Sequence, residues 1–198
     1  MNINWFEAGA LRNFDLFLKE YRNKPNIHFL QIGVFKGHCS LWLFENILTH
    51  ESSTLTDVDC WGLVDSRDAL DNLKLDWEDV EAKYDKKLLP YKDRLNKHKA
   101  MSKEWLLQNR SNQYDLIYID GDHTPKGFMT DAVLSWDLLK TGGIMAIDDY
   151  TWPHPDGGFF SPKSAIDMFM HMVRNESQVI ANNNQVWLRK TSADRTIY

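Results

Sequence analysis

The chain has 198 residues, 43% of them hydrophobic. That is enough for one sizeable core and too little for two comfortable domains, so a single domain over 1–198 is expected. No stretch approaches the ~20 continuous apolar residues of a membrane span. The two cysteines, Cys39 and Cys60, are too few for a disulfide framework or a zinc cluster, and a net charge of −5 offers no basic footprint for nucleic acid. These properties point to a cytoplasmic protein with a small-molecule partner, and with neither nucleic acid nor membrane.

The opening "MNINWFEAGALRNFDLFLKEY" lacks the basic-then-apolar order of a signal peptide and reads as an amphipathic helix within residues 1–25. "NIHFLQIGV" (26–34) is a near-continuous apolar run, as a strand buried on both faces requires. "CSLWLFENILTH" places Leu41, Phe44 and Leu48 on one helical stripe. "STLTDVDCWGLV" is a second strand ending near Asp59. Residues 65–93 are the most polar stretch, with a helix at "WEDVEAKYDKKLL". "DRLNKHKAM" is a third strand, and "SKEWLLQN" a short helix with Ser102 as its N-cap. "YDLIYID" is strand four. "TPKGFMTDAVLSWDLLKTGG" reads as a helix with Pro125 in its first turn and a glycine pair closing it. "GGIMAIDD" is strand five. The segment 151–163, rich in proline and glycine, is an irregular loop, and with 63–93 it is expected to cap a site. "KSAIDMFMHMVRN" is helical, and "SQVIANNNQVWLRK" is a hairpin with an Asn-rich turn.

Strands alternating with helices, followed by a hairpin, predict an α/β fold. It has a Rossmann-like, mostly parallel seven-stranded sheet, helices on both faces and a C-terminal antiparallel hairpin. In such sheets ligands collect at the carboxyl ends of the strands. Two apolar runs end there in acids: "IYIDGDHTPKGF" (117–128) in Asp120, Asp122 and His123, and "GGIMAIDDY" (142–150) in Asp148 and Asp149. "QIGVFKG" sets Gly33 and Gly37 four apart in a strand-to-helix turn, where a missing Cβ lets a ligand approach the backbone. Asp59, ~20–25 residues later, suits a ribose-hydroxyl acceptor.

The ordered segments "FLQIGVFKGHCSLWLFENIL", "TDVDCW", "KAMS", "YDLIYIDGDH" and "LLKTGGIMAIDDY" together resemble the class I S-adenosylmethionine-dependent methyltransferases. The likeness is to the branch of metal-dependent small-molecule and sugar O-methyltransferases. The resemblance implies that Gln31, Gly33, Val34 and Gly37 approach the methionine part of S-adenosyl-L-methionine, and that Asp59 holds its ribose. It places Met101 and Ser102 beside the adenine. It makes Asp120, Asp148 and Asp149 ligands of Mg²⁺ or Mn²⁺, with Asp120 also facing the cofactor, and gives His123 the role of general base. The family usually has an acid where this chain has Gln31, a small hydroxyl residue where it has Cys39, and a glycine where it has Ala100.

The chemistry is self-consistent. A hydroxyl is a poor nucleophile until its proton is lost. A carboxylate-bound divalent cation acidifies it, and a histidine of ordinary pKa ~6.5 can take the proton. A nearby cation would bring that pKa lower still. Hard oxygen ligands point away from zinc. Trp61 and Trp152 are candidates to line the pocket, and Asp122 to cap the following helix instead of touching metal. The expected activity is O-methylation of a hydroxyl on a small molecule or sugar, by an enzyme able to form homo-oligomers. The alternatives are a catalytically weak or inactive binding protein with the same fold, or a metal-dependent nucleotide-sugar glycosyltransferase using "DGD" (120–122) as its Asp-x-Asp. The second alternative leaves "QIGVFKG" and "IDDY" without roles.

Overall fold

The computed structural model describes residues 4–63, 75–111, 113–152 and 161–192. Seven strands hydrogen-bond in the order β3-β2-β1-β4-β5-β7-β6. They are β1 (His28–Ile32), β2 (Thr54–Asp59), β3 (Leu95–Lys99), β4 (Tyr114–Ile119), β5 (Leu139–Ile147), β6 (Ser177–Asn182) and β7 (Val186–Lys190). The β1–β2, β2–β3 and β4–β5 pairs are parallel, and β7 pairs antiparallel with both β5 and β6. The expected mostly parallel sheet with a terminal antiparallel hairpin is therefore present. Among the described residues, no helix is long and apolar enough to cross a membrane. The chain divides into two compact units, Met1–Met101 and Ser102–Tyr198.

In the first unit the N-terminal stretch is not one helix. A π-helical turn, Phe6–Ala10, runs into α1 (Leu11–Phe17), and a 3-10 turn follows at Lys19–Tyr21. Phe6 and Phe14 leave the surface there and pack on Trp42 of α2 (His38–Asn46). Strand β1 is buried from Phe29 to Ile32, as its apolar run predicts. α2 starts at Gly37, which takes a left-handed φ of 67°, and stops four residues before the predicted end. α3 (Trp77–Leu88) is capped by Asp76, whose carboxylate accepts from the Asp79 N–H. Glu78 and Asp79 in its first turn, and Lys86 and Lys87 in its last, complement the helix dipole. Its buried stripe is Val80, Tyr84 and Leu88. β3 is the charged edge strand. Lys97 and Lys99 pair with Glu81, a pattern that blunts an open edge.

The second unit contains α4 (Ser102–Gln108), α5 (Pro125–Trp136) and α6 (Lys163–Met172). Thr124 caps α5, accepting from the Gly127 N–H, with Pro125 at the first position as predicted. The glycine pair does not close this helix. α5 ends at Trp136, and Leu139–Gly143 already belong to β5. Leu139 is buried and pairs with Tyr114, after which the β4–β5 register jumps to Leu116 opposite Ile144. Gly142, at φ 86°, turns the backbone within that bulge. Ser102 is the first residue of α4, and its side chain hydrogen-bonds the buried Asp131 of α5. Of the two expected cap segments, 64–74 and 153–160 lie outside the described residues.

Candidate functional site

Two constellations carry the predicted residues, one in each unit. In the first, Gly33 (φ 81°) and Gly37 bound the turn after β1, closed by a hydrogen bond from Gly37 N–H to Val34 O at 2.9 Å. The Asp59 carboxylate, at the end of β2, is folded onto this turn. Its Oδ2 accepts the backbone N–H of Val34 at 2.7 Å and of Phe35 at 2.8 Å, and its Oδ1 accepts that of Trp61 at 2.8 Å. Burial raises its pKa, and these backbone donors oppose the rise. Phe35 has a left-handed φ of 52°, unusual for a side chain of its size. It is fixed by the Asp59 bond, by Trp61 Nε1–H donating to its carbonyl at 2.9 Å, and by stacking on Trp5. Trp61, named above as a pocket candidate, is fully buried against Tyr84.

Gln31 is buried on β1 and spans the base of the turn. Its Nε2 donates to Gly33 O at 3.0 Å, and its Oε1 accepts from the Ser40 hydroxyl at 3.2 Å. Lys87 of α3 donates to Lys36 O at 2.7 Å, which ties the far side of the same turn. Met101, half-buried, ends this unit.

In the second unit β4 delivers Asp120 and β5 delivers Asp148 and Asp149. The turn through Gly121 brings His123 back over them. His123 Nε2 lies 3.0 Å from Asp149 Oδ2 and 3.6 Å from Asp120 Oδ1. One donor atom each from Asp120, His123 and Asp149 fall within 4.8 Å of one another, a spacing fit for a metal ion. Burial lowers the His123 pKa, but hydrogen bonds and charge from Asp120 and Asp149 outweigh it and hold the imidazole above its ordinary value. This is the reverse of the direction expected beside a cation, because in the protein alone the neighbours are carboxylates. Burial, reinforced by Asp148, raises the Asp120 pKa. Asp149 sits at φ 60°, a strained position that aims its carboxylate at the histidine.

Asp148 does not join that group. Its Oδ2 accepts from the Tyr118 hydroxyl and from Gln185 Nε2 (3.0 Å), and its Oδ1 from the Asp149 N–H (2.9 Å). Tyr118 and Gln185 escaped sequence reasoning. The inward phase of Tyr118 on β4, two residues before Asp120, is the one signal that could have found it. Asp122 lies outside the group of three, and its Oδ1 accepts from the N–H of Thr124, the residue that caps α5, at 2.8 Å. A Cβ on Gly127 would strike the Asp122 side chain. Trp152 packs against the His123 ring, 5.3 Å between centroids. The Asp120 and Asp149 carboxylates fit a hard divalent cation, with the His123 imidazole beside them. The Asp59-anchored glycine turn fits a cofactor that approaches the backbone.

A family model described as a methyltransferase domain matches residues 30–150. Among solved structures, a Clostridium thermocellum protein described as a candidate rRNA methylase is 16% identical, with a TM-score of 0.69 over 98% of this chain and 100% of its own. The O-methyltransferase NovP is 15% identical, with a TM-score of 0.68 over 92% of this chain and 79% of its own. MycE, a methyltransferase of the mycinamycin biosynthetic pathway in complex with Mg and SAH, is 15% identical, with a TM-score of 0.61. This chain is covered over 98% of its length in that match and spans 52% of MycE. At these identities the likeness is one of fold. No curated protein gives a sequence match.

Proposed function

The chain belongs to the methyltransferase-domain family and is a class I S-adenosylmethionine-dependent methyltransferase; we propose that it methylates a hydroxyl on a small molecule or sugar with help from a divalent cation. The observation that carries this reading is the convergence of Asp120, His123 and Asp149 within 4.8 Å. In the first unit Gly33, Val34, Gly37 and Asp59 would hold the methionine and ribose parts of the cofactor, with Gln31 bracing the turn from beneath. Met101 and Ser102 would flank its adenine.

S-adenosylmethionine supplies the methyl group, and Mg²⁺ or Mn²⁺ held by Asp120 and Asp149 would acidify the acceptor hydroxyl. His123 Nε2, neutral once a cation offsets the charge of the two carboxylates, would receive the hydroxyl proton. The resulting imidazolium lies within 3.0 Å of Asp149 and 3.6 Å of Asp120, so the charge formed is stabilised where it forms. Asp148 acts on this geometry indirectly. Bound to Tyr118, Gln185 and the Asp149 N–H, it fixes the backbone from which Asp149 projects. The acidic net charge of −5 supports a small acceptor over RNA. We place the reaction in the cytoplasm.

The test is calorimetry with S-adenosylhomocysteine, with and without Mg²⁺ or Mn²⁺, followed by turnover on sugars, catechols and an RNA transcript. Cofactor binding and EDTA-sensitive methylation of a small hydroxyl compound are expected. His123→Asn should lower kcat by ~10²–10⁴ with little change in cofactor affinity. Full turnover in excess EDTA refutes the metal role, and wild-type kcat in His123→Asn across pH 6–9 refutes the base.

A further inference from the structure

Beneath the glycine turn of the first unit lies a fully buried carboxyl that the proposed reaction does not use. Asp57 of β2 is the register partner of Gln31 on β1 and of Lys97 on β3, and its side chain is inaccessible to solvent. The Tyr84 hydroxyl donates to its Oδ2 at 2.8 Å, and the Ser40 hydroxyl stands beside the same carboxyl. No donor satisfies its Oδ1 among the described residues.

The proton positions follow from the partners. Gly33 O is an acceptor, so the atom of Gln31 that faces it is the Nε2 donor, and Oε1 must face Ser40. Ser40 carries one hydroxyl proton, which that Oε1 consumes. A proton on the Asp57 carboxyl relieves that shortage, because the carboxyl can then donate to the neighbouring Ser40 Oγ instead of competing for its one proton. With that proton in place the donors run one way, from Asp57 through Ser40 and Gln31 to the Gly33 carbonyl. Tyr84 completes it at the other end of the turn. Its ring lies where a Cβ on Gly37 would be, 2.6 Å from Tyr84 Cδ2.

We propose that Asp57, Ser40, Gln31 and Tyr84 are positioning residues that hold both ends of the cofactor turn, and that the turn binds cofactor best while Asp57 is protonated. The proposal rests on the methyltransferase reading above. Burial raises the Asp57 pKa to about 7; the rise is held back only by the Tyr84 hydroxyl and by Ser40 when it turns its proton from Gln31 to the carboxylate, and the nearby charge of Asp59 adds to it. The other charged groups around it are Lys97, which lies over the Tyr84 ring, and that lysine's partners Glu81 and Asp85. Their ion pairs stay formed across neutral pH. His38, at the start of α2, also has a lowered pKa, through burial and the charges of Lys87 and Lys36, and is the competing source of a pH effect.

The experiment is calorimetric titration with S-adenosylhomocysteine between pH 5.5 and 8.5, well below each variant's melting point. Wild-type affinity should fall about fivefold as pH rises through 7, the loss of roughly one neutral hydrogen bond. Asp57→Asn keeps a donor and an acceptor in place and should hold the low-pH affinity at every pH. Tyr84→Phe and Ser40→Ala should each weaken binding about fivefold at pH 6. Asp57→Asn with the wild-type pH slope assigns the titration to His38 or another group and overturns the protonation half. Unchanged affinity in both Tyr84→Phe and Ser40→Ala overturns the positioning role. Wild-type protein that binds no S-adenosylhomocysteine at any pH refutes the methyltransferase reading instead, so the two failures are distinguishable.

Discussion

Replacing Gly37 by alanine tests whether the cofactor turn is built on that position or merely passes through it. Two costs add. Gly37 has a φ of 67°, and a Cβ in the left-handed region costs roughly 1–2 kcal/mol. The same Cβ would stand 2.6 Å from Tyr84 Cδ2 and 2.9 Å from Leu88 Cδ2, overpacking of the kind that costs ~1–3 kcal/mol. Against these, alanine restricts the unfolded chain and returns ~0.4–1 kcal/mol. The expected net loss is about 2–4 kcal/mol, read as a lower urea midpoint at unchanged m-value. Tyr84 is buried and tied to Asp57, so it cannot swing away cheaply. A double-mutant cycle with Tyr84→Ala should therefore recover the steric share and leave the backbone share, a coupling of ~1–3 kcal/mol. A Gly37→Ala protein within about 0.5 kcal/mol of wild type, with no coupling to Tyr84, would falsify this reasoning.

Three further outcomes follow from the geometry. Asp59→Ala removes the acceptor of three backbone N–H groups, and calorimetry should show S-adenosylhomocysteine binding weakened by about 2–3 kcal/mol; unchanged affinity sinks that assignment. Asp120→Asn and Asp149→Asn should each weaken Mn²⁺ binding by at least ~10-fold, a loss that even supporting residues of metal sites reach. Asp148→Asn should leave Mn²⁺ binding nearly intact and lower the melting temperature instead, because one amide oxygen cannot serve the three donors, Tyr118, Gln185 and the Asp149 N–H, that the two carboxylate oxygens accept. The buried Asp131 has its pKa raised to about 7, mainly by burial, so its contribution is full below its unfolded pKa of 3.8 and is lost as pH rises toward 7. Urea midpoints should show wild type losing up to about 4 kcal/mol relative to Asp131→Asn between pH 4 and 7.5; parallel profiles would exclude it.

The fold was legible because it rests on local signals strong enough to stand alone. The buried runs at 28–32, 114–119 and 144–147 allow little but parallel strands, and Thr124-Pro125 can open a helix but not continue one. Errors fell where a tertiary demand overrides a local one. "LKTGG" has the composition of a helix end, yet Leu139 is worth more in the core opposite Tyr114, so the strand begins early and the glycines absorb the bulge. The N-terminal stretch has helical periodicity throughout, but it opens with a π-helical turn, with Phe6 and Phe14 packed on Trp42 from a distant helix that the local pattern does not show.

The site was legible only as far as period and spacing reach. Acids at strand ends can be read off a sequence, and so can a histidine three residues after one of them. What each carboxylate accepts cannot, because the donors arrive from elsewhere in the chain. Asp148 and Asp149 are neighbours of identical composition. The strand end turns one toward Tyr118 and Gln185, and a φ of 60° turns the other toward His123. Asp57 and Asp59 repeat the lesson with a spacing of two, which puts both on one face of β2. Asp59 meets the backbone of the turn and keeps several N–H donors. Asp57 meets Tyr84 from α3, twenty-seven residues on, and is left one donor short. Burial raises the pKa of both, and the N–H donors that oppose the rise are more numerous at Asp59. The different surroundings of two acids on one strand face are therefore set by α2 and α3 closing over β2.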